Sequence, residues 1–325
     1  MRALVCKKWG SPKDLLVSEL PEPEIGPTSV LIDVFAASVN YADLVMIEGR
    51  YQTRPSFPFA PGLEAAGVIV KCGVDVKKFK PGDRVMALLD HGGFAELAVA
   101  YEDICYAIPT GMDNETAAAF LIAYASSHVA LCWQANLDPG ENLLVLGSAG
   151  GVGLTAVEIG KIMGARVLAA ASTSEKLALA KSRGADETIN YSEVDLKNVV
   201  MDLTEQKGVD VCFDPIGGKY FSSALSSVGW GGRYLHIGFV GGIPEIPANR
   251  LLVKHRSAMG SALRFYRNNR PDLLEKSVTS LLDWWGKGLL KIEISQTYKL
   301  EEAINALNHL QKRSVTGKVV IRIKQ

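Results

Sequence analysis

The chain has 325 residues, 48% of them hydrophobic, and its 35 basic and 35 acidic side chains cancel to a formal net charge of zero. That length exceeds what one core usually fills and points to two domains, while the balanced charge offers no field to attract nucleic acid or an anionic membrane, so neither is expected as a partner. Five cysteines without C-x-x-C spacing suit a reducing compartment, and the cytoplasm is the expected location.

The N-terminus, Met1 to Lys8, has too short an apolar run for a signal peptide and reads as a first strand. From there to about residue 120 come strand-like runs, Ser29 to Val39, Ala66 to Val70 and Arg84 to Ala87. Turns at Pro21-Glu-Pro23, Pro81-Gly82-Asp83 and His91-Gly92-Gly93 separate them, which predicts an irregular, mainly β, barrel-like domain. Thr116 to Ala135 has the length of a membrane span and lacks Asp, Glu, Lys and Arg, but its alanines and the interspersed Ser126, Ser127, His128 and Gln134 predict a buried helix pair.

From about 123 to 265 near-continuous apolar strands alternate with helical stretches. The strands are Asn142 to Leu146, Arg166 to Ala170, Glu187 to Asn190, Val209 to Phe213 and Gly232 to Ile237. This alternation predicts an α/β fold with a doubly wound parallel sheet. Beyond 265 a helix is expected from Pro271 to Trp285 and another from Leu300 to Leu310. A closing strand, Gly317 to Lys324, could rejoin the first domain. The expected division is 1–122 plus 266–325, and 123–265.

The richest motif is Gly147-Ser148-Ala149-Gly150-Gly151-Val152-Gly153, set between the strand ending at Leu146 and a helix from Leu154 to Met163. Strand, glycine turn and helix N-terminus are the context in which a dinucleotide pyrophosphate docks on backbone N–H groups. The turn has one residue more than G-x-G-x-x-G, although G-x-G-x-x-A fits at Gly151, Gly153 and Ala156. Ser148 through Gly153 are therefore candidate cofactor contacts.

An NAD-binding fold would place a carboxylate about 20 residues downstream, to bond the ribose 2′-OH. Here the position reads Ala171-Ser172-Thr173-Ser174. Ser172, Thr173, Lys176 and Tyr191 would suit a 2′-phosphate instead, so NADPH is the expected cofactor. In a plainer reading Ser174 caps a helix and Lys176 is solvated.

Taken together, several stretches resemble the quinone oxidoreductase family, the zinc-free, zeta-crystallin-like branch of the medium-chain dehydrogenases. They are Val39-Asn40-Tyr41-Ala42-Asp43, Glu48-Gly49-Arg50-Tyr51, Pro61-Gly62-Leu63-Glu64-Ala65-Ala66-Gly67, Phe79-Lys80-Pro81-Gly82-Asp83-Arg84-Val85, Gly92-Gly93-Phe94-Ala95-Glu96, the glycine turn, Gly184-Ala185-Asp186 and Gly317-Lys318-Val319-Val320. The family shares the extra residue in the turn. The resemblance implies a GroES-like catalytic domain beside a Rossmann domain, and hydride transfer from NADPH to a quinone.

It also implies site residues. Asn40, Asp43 and Tyr51 are candidates to meet the acceptor. Tyr51 matches a tyrosine near the reacting centre in enoyl-thioester reductases, yet its proline-containing loop reads equally as a packing lid, and Asp43 as a brace. Tyr41 would border the nicotinamide, Glu64 would form a structural ion pair, and Ser126 counts among the cofactor contacts. Asp214, Gly238, Phe239 and Val240 would lie at strand ends beside the cofactor, with Ser261, Leu263 and Lys318 as further contacts by analogy.

In zinc-dependent relatives the metal ligands match Asn40, Leu63 and a position near Ile122, none of which can serve here, so no zinc is expected. The five histidines read as surface or satisfied core residues, and Trp284-Trp285 as helix packing. A homodimer through the strands of Arg233 to Ala262 is expected. Enones, 2-alkenals or enoyl thioesters are alternative acceptors, the last favoured by Arg50, Arg54, Arg264 and Arg267. A non-enzymatic, crystallin-like NADPH-binding role is the alternative of another class.

Overall fold

Ser29–Val39 is apolar at most positions because it is covered on both sides, and it forms the centre of a seven-stranded sheet. In the computed structural model, which describes residues 1–324, the chain divides into two units: residues 1–122 with the chain from Ile292 onward, and Ala123–Lys291. The sheet of the first unit runs Ile294–Lys299, Lys318–Arg322, Ser29–Val39, Glu64–Cys72, Arg84–Leu88, Cys105–Ala107, with Leu97–Tyr101 also paired to the central strand. All of its pairings are antiparallel except that of Ile294–Lys299 with Lys318–Arg322. The closing strand thus rejoins the first unit, with Val319 opposite Val39. Helix Ala303–Gln311 buries Ala303, Ala306 and Leu307, spaced as one helical face, against this core.

The second unit is built on a six-stranded, wholly parallel sheet in the order Glu187–Asn190, Arg166–Ala171, Asn142–Leu146, Val209–Asp214, Val228–His236, Ser257–Gly260. Leu143, Leu144, Val145 and Leu146 are fully buried, as strands covered by helices on both faces must be. Strand order reverses between Asn142–Leu146 and Val209–Asp214, and in such sheets ligands bind outside the carboxyl ends of the strands at that point.

The stretch 116–135 is folded as Asn114–Ala118, Leu121–His128 and a π turn, Val129–Gln134. No helix among the described residues is long and apolar enough to cross a membrane. The return to the first unit comes at Ile292, not at 266. Helix Pro271–Gly286 stays with the second unit because it buries Leu274, Val278 and Leu281, and its Ser277 hydroxyl meets His128 and the Trp133 indole. Periodicity revealed a buried face on that helix but not what the face packs against.

Candidate functional site

The glycine turn begins with Gly147 at φ +57°, a conformation costly for a side chain. Gly150 caps helix Gly151–Ile162, which starts three residues earlier than periodicity suggested. Leu154 N–H is the first to find an acceptor inside this helix, the Gly150 carbonyl at 2.8 Å, which leaves the N–H groups of Gly151, Val152 and Gly153 pointing out of its N-terminus. A Cβ on Gly153 would stand 2.1 Å from the Gly147 carbonyl oxygen, so only glycine lets helix and turn approach this closely.

The cradle fits a pyrophosphate, and it does so through backbone rather than side chains. Ala149 is buried, and Ser148 is fully buried with its hydroxyl donating to the Ala170 carbonyl at 3.2 Å, so neither side chain is a ligand. Ser127, which the motif reading passed over, pins the helix start: its hydroxyl donates to the Val152 carbonyl at 2.8 Å and meets Thr155 Oγ1 at 2.8 Å. Ser126 is half-buried beside it.

At the end of Arg166–Ala171 the N-cap is Thr173, not Ser174, its hydroxyl accepting the Lys176 N–H at 3.3 Å. Ser172 hydrogen-bonds Tyr191, and burial together with Tyr220 pushes the Tyr191 phenol up to about 12. The Tyr191 and Tyr220 rings lie 4.2 Å apart, and Lys219 sits 4.9 Å from the Tyr220 ring centre. Tyr220 and Lys219 were missed in the sequence; the Gly217-Gly218 pair just before them was the available signal. The wall holds hydroxyls and a half-buried Lys176, as a 2′-phosphate would require.

Asp214 is fully buried, so it does not touch a cofactor directly. Its carboxylate accepts the Ile216 N–H at 2.7 Å, the Gly217 N–H at 2.9 Å and the Tyr234 hydroxyl at 2.6 Å, which shapes the strand-end turn. Phe239 is exposed, and Gly238, Val240 and Leu263 are partly so. The ring nitrogens of His236 and the hydroxyl of Ser261 are buried without a hydrogen-bond partner among the described residues. They end neighbouring strands, with His236 opposite Gly260 and its carbonyl accepting the Ser261 N–H at 3.0 Å. His236 is therefore not a satisfied core histidine. Each unmade bond costs about 1–3 kcal/mol, and a polar ligand at the strand ends would relieve both.

In the first unit the residues carried over from the resemblance gather around Glu64, which is 1% exposed. Its Oε1 accepts Asn40 Nδ2 at 3.0 Å and Lys318 Nζ at 3.0 Å, and its Oε2 accepts the Ile122 N–H at 2.9 Å; Ser38 also donates to it. Lys318 Nζ further donates to Asn40 Oδ1 at 2.6 Å. The amide of Asn40 and the ammonium of Lys318 are thus committed to this buried pair, which makes them braces rather than contacts for acceptor or cofactor.

The positions matched to zinc ligands in relatives hold this amide, the buried Leu63 and the Ile122 backbone, a set that does not fit zinc. Among the described residues no group of three or more His, Cys, Asp or Glu is arranged to hold a metal. Tyr41 and Tyr51 are half-buried against the first unit's core.

Asp43 is fully buried, and its Oδ2 accepts the Asn40 N–H at 2.7 Å. It braces the start of helix Tyr41–Ile47 and is not an acceptor contact. Burial pushes its carboxyl up to about 7 against the opposing pull of the Asn40 N–H and Lys318. A carboxyl raised on folding holds its proton more tightly folded than unfolded, so stability present below about pH 4 is lost as pH rises towards 7. Asp43→Asn is expected to flatten that fall in urea midpoints measured from pH 4 to 8; equal slopes in both proteins would refute the assignment.

Residues 151–279 match the family model for zinc-binding dehydrogenases, and residues 26–110 that for the alcohol dehydrogenase GroES-like domain. The rat quinone oxidoreductase-like protein 2 is 35% identical over 325 residues, covering 99% of this chain and 92% of its own. Human quinone oxidoreductase is 32% identical over 324 residues, covering 99% and 97%. The crystal structure of Escherichia coli quinone oxidoreductase complexed with NADPH superposes with a TM-score of 0.94 at 26% identity, covering 99% and 100%. With both of its units matched and full-length relatives above 30% identity, the chain belongs to the quinone oxidoreductase family of the medium-chain dehydrogenases and reductases.

Proposed function

We propose that the protein is an NADPH-dependent, zinc-independent reductase of quinones. The observation that carries this reading is the glycine turn closed over by Gly153, followed by Ser172 and Thr173 where an NAD-binding strand would present a carboxylate. When bound, NADPH supplies the hydride.

The chain's own part is to bind and orient. The N–H groups of Gly151, Val152 and Gly153 take the pyrophosphate, with the positive end of the helix dipole behind them. Ser172, Tyr191 and Lys176 take the 2′-phosphate, and His236 and Ser261 hold polar groups at the strand ends. Because the residues at the matched positions do not fit zinc, no Lewis acid polarises the acceptor, which favours an already electron-poor quinone over a simple aldehyde or ketone. The Tyr51 phenol donates a proton to, or anchors, the acceptor oxygen.

Strand Ser257–Gly260 lies at the sheet edge, with one side unpaired among the described residues, and pairing with a second copy would form a homodimer. All five cysteines are free thiols, which supports a cytoplasmic setting.

The test is oxidation of NADPH and NADH by the purified protein with a quinone, a 2-alkenal and a crotonyl thioester in parallel. Fastest turnover is expected with NADPH and the quinone. Cofactor binding without turnover on all three acceptors would sink the enzymatic reading, and faster turnover with NADH would sink the cofactor assignment. Tyr51→Phe is expected to lower kcat about 100-fold with little change in KM; an unchanged kcat would remove the phenol from the chemistry.

A further inference from the structure

Helix Leu121–His128 runs directly into the π turn Val129–Gln134, and this wider turn presents His128 and Cys132 to each other. Cys132 Sγ lies 3.5 Å from His128 Nε2 and 3.5 Å from Met163 Sδ. Met163 caps the C-terminus of the 12-residue helix Gly151–Ile162, so this cluster lies about 18 Å along the helix axis from the glycine turn. The Cys132 thiol thus meets both the imidazole and the thioether, at the end of the helix remote from the proposed cofactor.

Donor atoms that share one metal ion, with bonds of about 2.0–2.3 Å, stand roughly 3.5 Å apart. The Cys132–His128 and Cys132–Met163 pairs both have that separation. Charge selects the ion: with the thiol deprotonated the three donors carry a single negative charge, so a monovalent cation leaves the site neutral. A divalent ion would leave an unbalanced charge beside His128, which is only 3% exposed. Thiolate and thioether sulfur are soft ligands that select Cu(I).

We propose that Cys132, His128 and Met163 form a site for one Cu(I) ion per chain. Binding forms Sγ–Cu, Nε2–Cu and Sδ–Cu bonds and releases the Cys132 proton to solvent; the copper stays in its monovalent state. The imidazole keeps its own proton on Nδ1, facing Ser277 Oγ at 3.0 Å, a serine that also accepts the Trp133 indole N–H at 2.8 Å. A supporting partner of this kind orients a ligating histidine. The rings of Trp133 and Trp284 lie 6.4 and 5.3 Å from the imidazole and border the site, while half-buried Cys132 and Met163 leave it an entrance.

The full chain is titrated anaerobically with Cu(I) against a chromophoric Cu(I) chelator, and the loaded protein is measured by X-ray absorption. One tightly held Cu(I) with two sulfur neighbours and one nitrogen neighbour is expected. Cys132→Ser should lower the affinity at least about 100-fold and Met163→Leu about 10-fold. Cys105→Ser, in the other unit, should leave it unchanged. Urea midpoints and NADPH titrations identify any variant that has lost its fold. Unchanged affinity in a folded Cys132→Ser protein, or a copper coordinated by sulfur alone, would overturn the proposal.

Discussion

Gly153→Ala is expected to weaken NADPH binding at least about 100-fold, which corresponds to about 2.7 kcal/mol. The same change should lower the stability of the unliganded protein by about 3 kcal/mol. The new methyl would meet the Gly147 carbonyl oxygen at 2.1 Å, and that atom belongs to the backbone of the turn rather than to a side chain that can swing away. Either the helix start or the turn must then move, and the three N–H groups of Gly151, Val152 and Gly153 lose their common aim. Gly150→Ala separates the two effects. At Gly150 a Cβ would stand 3.4 Å from the same oxygen, with φ at −80°, so the fold should tolerate it within about 1 kcal/mol. Urea unfolding and fluorescence titration with NADPH measure both quantities. Equal stability losses in the two variants would show that the close approach at Gly153 does not govern the turn.

The second large effect is expected at Lys318. Lys318→Met should destabilise the protein by about 3–5 kcal/mol, because it leaves Glu64 charged and buried with only neutral donors around it. Adding Glu64→Gln should restore much of that loss, since the uncompensated charge is what costs, and the double-mutant cycle measures the coupling directly. A single variant that loses less than about 1 kcal/mol would show that the pair is dispensable. NADPH titration of the stabilised double variant also tests the analogy that made Lys318 a cofactor contact. The hydrogen bonds to Asn40 and Glu64 argue for unchanged affinity.

Much of the site was legible in the chain. The turn from Gly147 to Gly153 is local, and its purpose follows from strand, glycine and helix standing in sequence. The neutral Ser172-Thr173 is likewise read directly, because the end of a strand after a crossover helix occupies a known place in a parallel sheet. What the sequence does not reveal is the orientation of short polar side chains. The Ser148 hydroxyl turns to the Ala170 carbonyl, Asp43 takes the brace reading rather than that of an acceptor contact, and Asp214 satisfies the N–H groups of its own turn. An inward and an outward rotamer of the same residue leave the same letter in the sequence.

The sequence by itself determined the parallel sheet, the mainly β first unit, the return of the last strand and the dinucleotide turn, because each rests on periodicity or on contacts between near neighbours in the chain. Only the tertiary structure decided the long-range pairings. Lys318 meets Glu64 and Asn40 across more than 250 residues, Ser277 meets His128 across 149, and Cys132 meets Met163 across 31. It also assigned helix Pro271–Gly286 to the second unit and left His236 and Ser261 without partners at adjoining strand ends. Such pairings depend on the register of strands and the packing of helices over the whole fold, and no local pattern of residues encodes them.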